Sequence, residues 1–227
     1  MSAKKKQKPV KLTRAQELQE KYPGHRPIPP GRRTVVVTLV ATVVLSLLMV
    51  FLITRHMQSS GSSGLHDVQL DTSMGTITLE LDGDSAPRTV AQFLDNVQAG
   101  AYDGLTFHRV VKGFMIQGGD PAGDGTGGGA VSLERTGIHH ARGVVSMASS
   151  GPGVTQSDMQ FFILVADASS LDGKYAAFGR VVDGMDIVDK IADIPVRENP
   201  MIQGEQSIPI DTVTILGATE VAHQGEP

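Results

Sequence analysis

The stretch FHRVVKGFMIQGGDP, Phe107–Pro121, contains two short apolar runs separated by one glycine, Gly113. Alternation of period two within such runs, with a turn residue between them, is typical of two β-strands. In the first run this alternation puts Arg109 on the same face as Phe107 and Val111. A guanidinium among apolar neighbours is costly unless it is paired or used. Arg109 is therefore either half of a structural ion pair or a functional group.

The second run of this stretch alternates Phe114 and Ile116 with Met115 and Gln117. A thioether and an amide therefore share one face of the predicted strand. Small-ligand sites usually combine an apolar wall with a few polar groups, so this face is a candidate pocket.

Nearby histidines and glycines offer other chemistries that the sequence supports less well. His108 lies on the opposite face of the predicted strand from Arg109. No Ser or Asp lies at a spacing that would make it a catalytic partner, so we interpret His108 as a surface or packing residue. The loop GDGTGGG (residues 123–129) lacks the GK[ST] ending of a P-loop, which favours a turn or backbone wall over a phosphate cradle. The adjacent His139 and His140 cannot share a strand face, and too few further ligands accompany them for a metal site.

Outward from this stretch, residues 65–222 show eight short apolar runs with the pattern of strands: VQL, GTITLEL, LTFHRVV, GFMIQGG, GVVSMA, FFILVA, AAFGRVV and DTVTILGATEV. Two segments have helical spacing instead. They are DSAPRTVAQFLDNVQAG (residues 84–100), with Asp84 or Ser85 as its cap, and DGMDIVDKIADIP (residues 183–195). The pattern predicts a mainly β, antiparallel domain, closed as a barrel or sandwich because closure removes exposed strand edges.

Composition excludes several classes of protein. The 227 residues include no Cys, which rules out disulfides, thiol nucleophiles and Cys-based zinc sites. The net charge of -4 is the sum of a basic and an acidic segment. Residues 1–33 carry ten Lys/Arg and two Glu, whereas the rest of the chain carries ten Lys/Arg and 22 Asp/Glu. We expect a monomer without a cofactor, a metal or a nucleic-acid partner.

Between the two charge blocks lies TVVVTLVATVVLSLLMVFLIT, Thr34–Thr54, 21 residues without a charge, Gly or Pro. As a helix it would measure about 31 Å, close to the hydrocarbon thickness of a bilayer. A buried core helix and a cleaved signal peptide are the alternatives. The run is longer than secretory apolar segments and follows 33 other residues, which favours an uncleaved signal anchor that contacts the lipid bilayer.

The bias of Lys and Arg toward the N-terminal side predicts a cytosolic N-terminus and a C-terminal domain in the lumen of the ER or Golgi. The expected organisation is a basic cytosolic tail (1–33), the anchor (34–54), a Ser/Gly-rich tether (55–66), a folded domain (67–222) and a C-terminal tail (223–227).

Taken together, FHRVVKGFMIQGGDP, GTGG, GVVSMASSGP, QFFIL, LDGKYAAFG and VVDGMDIVDKI resemble the cyclophilin family of peptidyl-prolyl cis-trans isomerases. The resemblance covers residues 67–221 in collinear order. It implies a closed eight-stranded antiparallel barrel with a capping helix at each end, and catalysis of X-Pro bond rotation without a cofactor.

The resemblance also implies roles for individual residues. The catalytic set would be Arg109, Phe114 and Gln117, with Arg109 as the family's catalytic arginine. The substrate-binding residues would be Met115, Gly125, Ala148, Gln160, Phe162, Leu171 and Tyr175. Met115 and Phe162 would join Phe114 as walls of a proline pocket, with Gly125 at its secondary side.

Some positions depart from the family pattern. Ser170 stands where many members have Trp, Tyr175 where His is common, and Ser149 where Asn is usual, while GPGVTQSDMQFF (residues 151–162) is about two residues longer. Loss of the indole donor at Ser170 predicts weakened binding of cyclosporin-type inhibitors.

The leading hypothesis is a membrane-tethered, luminal isomerase that assists folding of Pro-containing clients. The alternative is a membrane-tethered chaperone or scaffold that binds Pro-containing peptides with weak or no catalysis.

Overall fold

The computed structural model describes residues 62–223, together with residues 21, 35, 37, 41–46 and 49. The chain divides into two units, Met1–Ile53 and Thr54–Pro227. In the first unit, the described residues are helical and exposed. Most of the predicted anchor, the basic tail and residues 55–61 of the tether lie outside the described residues. Within the described part of the chain, no helix has the length and apolar character needed to cross a bilayer.

Residues 62–223 contain twelve strands, eight of which form one antiparallel sheet in the order β12-β1-β2-β9-β6-β8-β4-β3. In chain order the strands are β1 (Leu65–Thr72), β2 (Gly75–Asp82), β3 (Arg109–Val111), β4 (Met115–Gly118), β5 (Ala130–Ser132), β6 (Val144–Met147), β7 (Thr155–Ser157), β8 (Phe161–Leu164), β9 (Ala177–Asp183), β10 (Val196–Glu198), β11 (Gln206–Pro209) and β12 (Ile215–Val221). Each of the eight predicted apolar runs contributes one strand to this sheet. The prediction of a mainly β, antiparallel domain is confirmed.

The sheet curls so that the chain before β3 meets the chain at the start of β12. Thr106 and Thr214 form an isolated antiparallel bridge. Beside it, the Phe107 N–H donates to the carbonyl of Val213 at 3.0 Å, and the Ile215 N–H donates to the carbonyl of Leu105 at 2.8 Å. These bonds satisfy backbone groups that an open sheet edge would leave to solvent.

Both faces of the central strands are buried: all four residues of β6 are buried, and β8 is a continuous apolar run. One face forms the main core, which includes Val110, Ile116, Val145, Phe161 and Ile163. The other face carries a second cluster, which we call the outer cluster: Met115, Val144, Ala148, Phe162, Leu164 and Ala177. Burial of each large apolar side chain stabilises the fold by about 1.5–3 kcal/mol.

Two α-helices within residues 62–223 pack on the main core, as the sequence predicts. They are α1 (Pro87–Gln98) and α2 (Met185–Ala192). The ring of Phe93 in α1 lies 5.1 Å from that of Phe178 and 5.5 Å from that of Phe161. Val188 and Ile191 attach α2 to the same core.

The predicted cap of α1 is wrong. Ala86 occupies the cap position and forms no side-chain capping bond. Glu134, 45 residues beyond Thr89, accepts bonds from the Thr89 N–H and Oγ1, both at 2.7 Å, and from the Arg88 N–H at 3.2 Å. The two N–H groups belong to the first turn of α1, where backbone N–H groups have no acceptor inside the helix. Asp84 and Ser85 instead donate their N–H groups to the Asp82 carboxylate in the preceding turn.

Other elements of the domain were not predicted. Strands β5 and β7 form one two-stranded ribbon, and β10 and β11 form another. A short 3₁₀ helix spans Ser169–Leu171. At the N-terminal end, the Ser62 N–H donates to the carbonyl of Pro87 at 2.8 Å, and β1 begins at Leu65. The folded domain therefore starts inside the segment assigned to the tether.

Replacing Glu134 with Gln tests the cap. Gln supplies a single acceptor oxygen, so helix donors are left without partners, and we expect the free energy of unfolding to fall by about 1–3 kcal/mol at pH 7. Urea titration of the purified chain in mild detergent measures the loss. Glu198→Gln, at an exposed position, is the matched control, and equal stability of the two variants would contradict the assignment.

The loss of stability caused by Glu134→Gln should depend on pH in a defined way. Burial alone would raise the pKa of Glu134, but hydrogen bonds from Thr89 and Arg88 outweigh it and hold the pKa below its usual value. A depressed folded-state pKa makes the contribution complete above the unfolded pKa of about 4.3 and removes it as the pH falls through the folded-state value. The stability difference between wild type and Glu134→Gln should therefore narrow in acid.

Candidate active site

Strand register places four side chains in one row across the sheet. Arg109 of β3 pairs with Gln117 of β4, Gln117 with Phe162 of β8, and Phe162 with Ser146 of β6. Directly paired residues lie on the same face of an antiparallel sheet. The row therefore runs over the outer cluster, on the face opposite the main core.

A small pocket of about 90 Å³ opens on this row. It is lined by Arg109, Phe114, Met115, Gln117, Ala148, Ser149, Phe162, Leu171 and Tyr175. Eight of the ten predicted site residues are thus brought to one place. Ser149 is the additional lining residue. Its hydroxyl donates to the carbonyl of Thr155 and accepts the Gly151 N–H at 3.0 Å, so it also anchors the chain that leads to β7.

A second pocket of about 190 Å³ adjoins the first and shares Gln117, Ala148 and Ser149 with it. Gly125 and Gln160, the remaining two predicted site residues, line this second pocket. The ten residues therefore surround one continuous groove with two pockets.

A chain of hydrogen bonds runs along the groove. Arg109 Nη1 donates to Gln117 Oε1 at 3.1 Å, and Gln117 Nε2 donates to Gln160 Oε1 at 2.9 Å. Gln160 Nε2 then donates to the carbonyls of Gly125 at 3.1 Å and Gly127 at 2.7 Å. The glutamine amides fix one another's orientation, since each oxygen receives a donor and each nitrogen finds an acceptor.

The loop of residues 123–129 is built as a backbone wall for this groove. The Asp120 carboxylate accepts the N–H groups of Asp124 at 2.9 Å and Gly125 at 2.6 Å. Those amides are therefore already engaged, which argues against a phosphate cradle. A Cβ at Gly127 would collide with the Asp120 carboxylate, so this position requires glycine.

Arg109 is also held from its other edge by an acidic residue that the sequence did not reveal. Its Nε donates to Glu205 Oε1 at 2.8 Å, and its Nη2 donates to Glu205 Oε2 at 2.7 Å. The hydrogen bonds from Arg109 hold the pKa of Glu205 below its usual value. Arg109 is thus both half of an ion pair and part of the pocket wall.

The aromatic wall of the pocket is fixed by its neighbours. The Phe162 ring stacks on His140, with centroids 6.4 Å apart, and meets the edge of Tyr175 at 5.6 Å. His140 is itself held between Asp172, at 2.9 Å from Nδ1, and the hydroxyl of the fully buried Ser146, at 3.1 Å from Nε2. His140 therefore has a packing role behind the pocket.

One predicted face is wrong. Phe107 lies in the main core and not beside Arg109, because the alternation breaks before β3 begins. The Phe107 N–H donates to the carbonyl of Val213, just before β12, whereas Arg109 pairs with Gln117 of β4. His108 is half-buried, and burial lowers its pKa while Asp120 partly opposes the shift. This setting favours a neutral packing group.

Position 170 lies outside both pockets in this structure. Ser170 is exposed on the 3₁₀ helix, one residue before the pocket residue Leu171. Of the residues that depart from the family pattern, Ser149 and Tyr175 line the 90 Å³ pocket itself.

The curled antiparallel sheet and its groove define a cyclophilin-type domain. A family model of the cyclophilin-type peptidyl-prolyl cis-trans isomerases matches residues 67–220, and the chain belongs to this family. It is 46% identical to a peptidyl-prolyl cis-trans isomerase-like 1 protein of Rhizopus delemar over 140 residues, 59% of this chain and 84% of that protein. The protein of the same name from Aspergillus fumigatus is 38% identical over 167 residues, 70% of this chain and 98% of that protein.

Solved structures give the same result for the fold. A cyclophilin-type peptidyl-prolyl cis-trans isomerase of Cryptosporidium parvum superposes with a TM-score of 0.64 at 29% identity, covering 70% of this chain and 99% of that one. A second structure of that protein, determined in the presence of the dipeptide Ala-Pro, gives a TM-score of 0.63. The chain is therefore an isomerase of the cyclophilin type.

Proposed function

We propose that the groove around Arg109 is where this isomerase twists X-Pro bonds of its clients, with Arg109 as the catalytic residue. The observation that carries the proposal is the pocket itself, where a guanidinium borders an apolar recess walled by Phe114, Met115 and Phe162. The presence of an Ala-Pro dipeptide with the Cryptosporidium parvum protein supports a proline-containing peptide as the occupant.

The chemistry requires no nucleophile. Amide resonance creates a rotational barrier of about 18–20 kcal/mol, and free X-Pro bonds isomerise over tens to hundreds of seconds. An N–H of Arg109 donated to the prolyl nitrogen localises its lone pair as that nitrogen becomes pyramidal. The C–N bond then loses double-bond character, and the interaction is stronger in the twisted transition state than in either planar state.

The apolar recess meets the second requirement, which is that one side of the rotating bond is held in place. Phe162, clamped between His140 and Tyr175, holds the proline ring while the preceding residue rotates. Gln117 and Gln160 line the adjoining pocket, and we expect their amide oxygens to accept hydrogen bonds from the peptide backbone. Holding one side of the bond rigidly while the other turns freely favours the twisted transition state over either planar state.

A second candidate function is a Pro-peptide-binding chaperone or scaffold with weak catalysis. Ser149 and Tyr175 support it, because both line the pocket and differ from the common residues of the family. The two functions differ in one measurable quantity, the rate of isomerisation of a bound peptide.

We further propose that the domain works in the lumen of the secretory pathway, tethered by Thr34–Thr54. The support is the uncharged run of 21 residues and the ten Lys/Arg that precede it. Such a charge bias keeps the N-terminal side in the cytosol.

Arg109→Ala tests the catalytic role. Removing one donor to a transition state costs about 100- to 1,000-fold in other enzymes, and we expect a loss of that order in kcat/KM. Arg109→Lys should also lose most activity, because an ammonium does not reproduce the planar donor fork. Exchange spectroscopy by NMR on an Ala-Pro-containing peptide measures the rate without a coupling protease.

Arg180→Ala is the matched control, since Arg180 is exposed and pairs with Glu80 outside both pockets. Full activity of Arg109→Ala would overturn the catalytic assignment. Tight peptide binding by wild type without faster exchange would instead establish the scaffold function.

Inhibitor affinity tests the consequence of Ser170. Wild type should bind a cyclosporin-type inhibitor weakly, and Ser170→Trp should tighten binding by about tenfold, the value of one added hydrogen bond. Ser170→Phe is the control because it adds an aromatic ring without an N–H donor. Isothermal titration calorimetry measures both, and equal affinities for wild type and Ser170→Trp would contradict the prediction.

Protease protection tests the topology. When the full chain is synthesised in the presence of microsomes, we expect residues 62–227 to be protected and the tail 1–33 to be digested. Detergent should abolish the protection. A variant lacking residues 34–54 should be digested throughout. Digestion of the domain in intact microsomes would refute the proposed orientation.

A further inference from the structure

Glu205 is the only acidic side chain within residues 62–223 for which an ion pair with Arg109 is seen. We propose that Glu205 is a positioning residue that orients Arg109 for catalysis, an inference that rests on the proposed catalytic role of Arg109. Both side chains are about one-quarter exposed or less, at 25% for Arg109 and 21% for Glu205. The pair is therefore partly shielded from solvent, unlike the surface pairs that contribute little.

The donors of Arg109 show what the ion pair does. A guanidinium has five N–H donors in one plane. Glu205 accepts one from Nε and one from Nη2, and Gln117 accepts one from Nη1. Two donors remain, one on each terminal nitrogen. Because the bidentate bonds fix the plane of the group, these remaining donors point in set directions.

Glu205 acts from outside the substrate pocket. Arg109 lines the pocket and Glu205 does not. The carboxylate engages the Nε and Nη2 edge, while the Nη1 edge meets Gln117. Glu205 therefore influences the reaction only through the orientation of Arg109, in the same way that Gln117 restrains the opposite edge.

The β10–β11 ribbon is built to present this carboxylate. The Asn199 N–H donates to the carbonyl of Glu205 at 2.8 Å, and the Glu205 N–H donates to the carbonyl of Ile202 at 3.1 Å. Asn199 Nδ2 donates to the hydroxyl of Ser207 at 3.0 Å, and both residues are buried. Arg109 and, to a smaller extent, Ser207 hold the pKa of the Glu205 carboxylate below its usual value. The loop that carries Glu205 is thus fixed on both sides, as a positioning role requires.

Glu205→Gln and Glu205→Ala test the proposal in the full chain in mild detergent. We expect kcat to fall by about tenfold in the Gln variant and further in the Ala variant, as for loss of a charge-assisted bond. KM should stay within about twofold, because Glu205 does not line the pocket. The rate is measured by NMR exchange on the Ala-Pro-containing peptide, with peptide concentration varied to separate kcat from KM.

Two controls separate positioning from stability. Glu198→Gln alters an exposed acid on β10 of the same ribbon and should leave kcat unchanged. The side-chain Nε–H resonance of Arg109 should shift in the Glu205 variants and not in Glu198→Gln, a signature that a change in stability alone does not produce. The isosteric Gln variant keeps the test valid if Glu205→Ala does not fold.

The measurements distinguish failure of the positioning role of Glu205 from failure of the catalytic role of Arg109. The double variant Arg109→Ala/Glu205→Ala should lose no more activity than Arg109→Ala, since Glu205 acts through Arg109. Unchanged kcat in both Glu205 variants, with Arg109→Ala inactive, would overturn the positioning role alone. A rise in kcat would overturn it too, by showing that the ion pair with Glu205 holds Arg109 away from its productive orientation. An active Arg109→Ala would overturn the catalytic assignment itself.

Discussion

The pairing of β3 with β4 and of β4 with β8 is the constraint on which the site depends. It aligns Arg109, Gln117 and Phe162 across three strands. Because side chains alternate between faces, a slip of one residue in either pair would move a member of this row into the main core. Burial on both faces of the central strands makes such a slip costly, since each face carries its own apolar cluster. The fold therefore stabilises the register that assembles the groove.

Local alternation accounts for what the sequence could predict. The shared face of Met115 and Gln117 follows from a period of two within four residues, and the structure places both in the pocket. The same rule failed for Phe107, because its backbone pairs with a different neighbour and the period does not carry across that change. Eight strands and two helices were recoverable because each is defined by its own short pattern.

Contacts between distant residues account for what the sequence could not predict. Glu134 caps α1 from 45 residues beyond Thr89, and Glu205 pairs with Arg109 across 96 residues. Neither acid has a distinguishing pattern in its own segment, and both lie in or beside short ribbons that have no strong apolar periodicity. Each carboxylate satisfies donors that would otherwise be left without partners, at a helix end in one case and on a guanidinium in the other.

The antiparallel pairing of β1 with β12 has a consequence for biosynthesis. His66 and Glu220, in these two strands, are bonded across 154 positions of the chain. At synthesis rates of about 5–20 residues per second, the first strand emerges roughly 8 to 30 s before its last partner. Throughout that interval one edge of β1 has no native strand to pair with. A nascent domain of this topology cannot complete its sheet from the N-terminus onward, and its earliest strand is the one exposed longest to wrong partners.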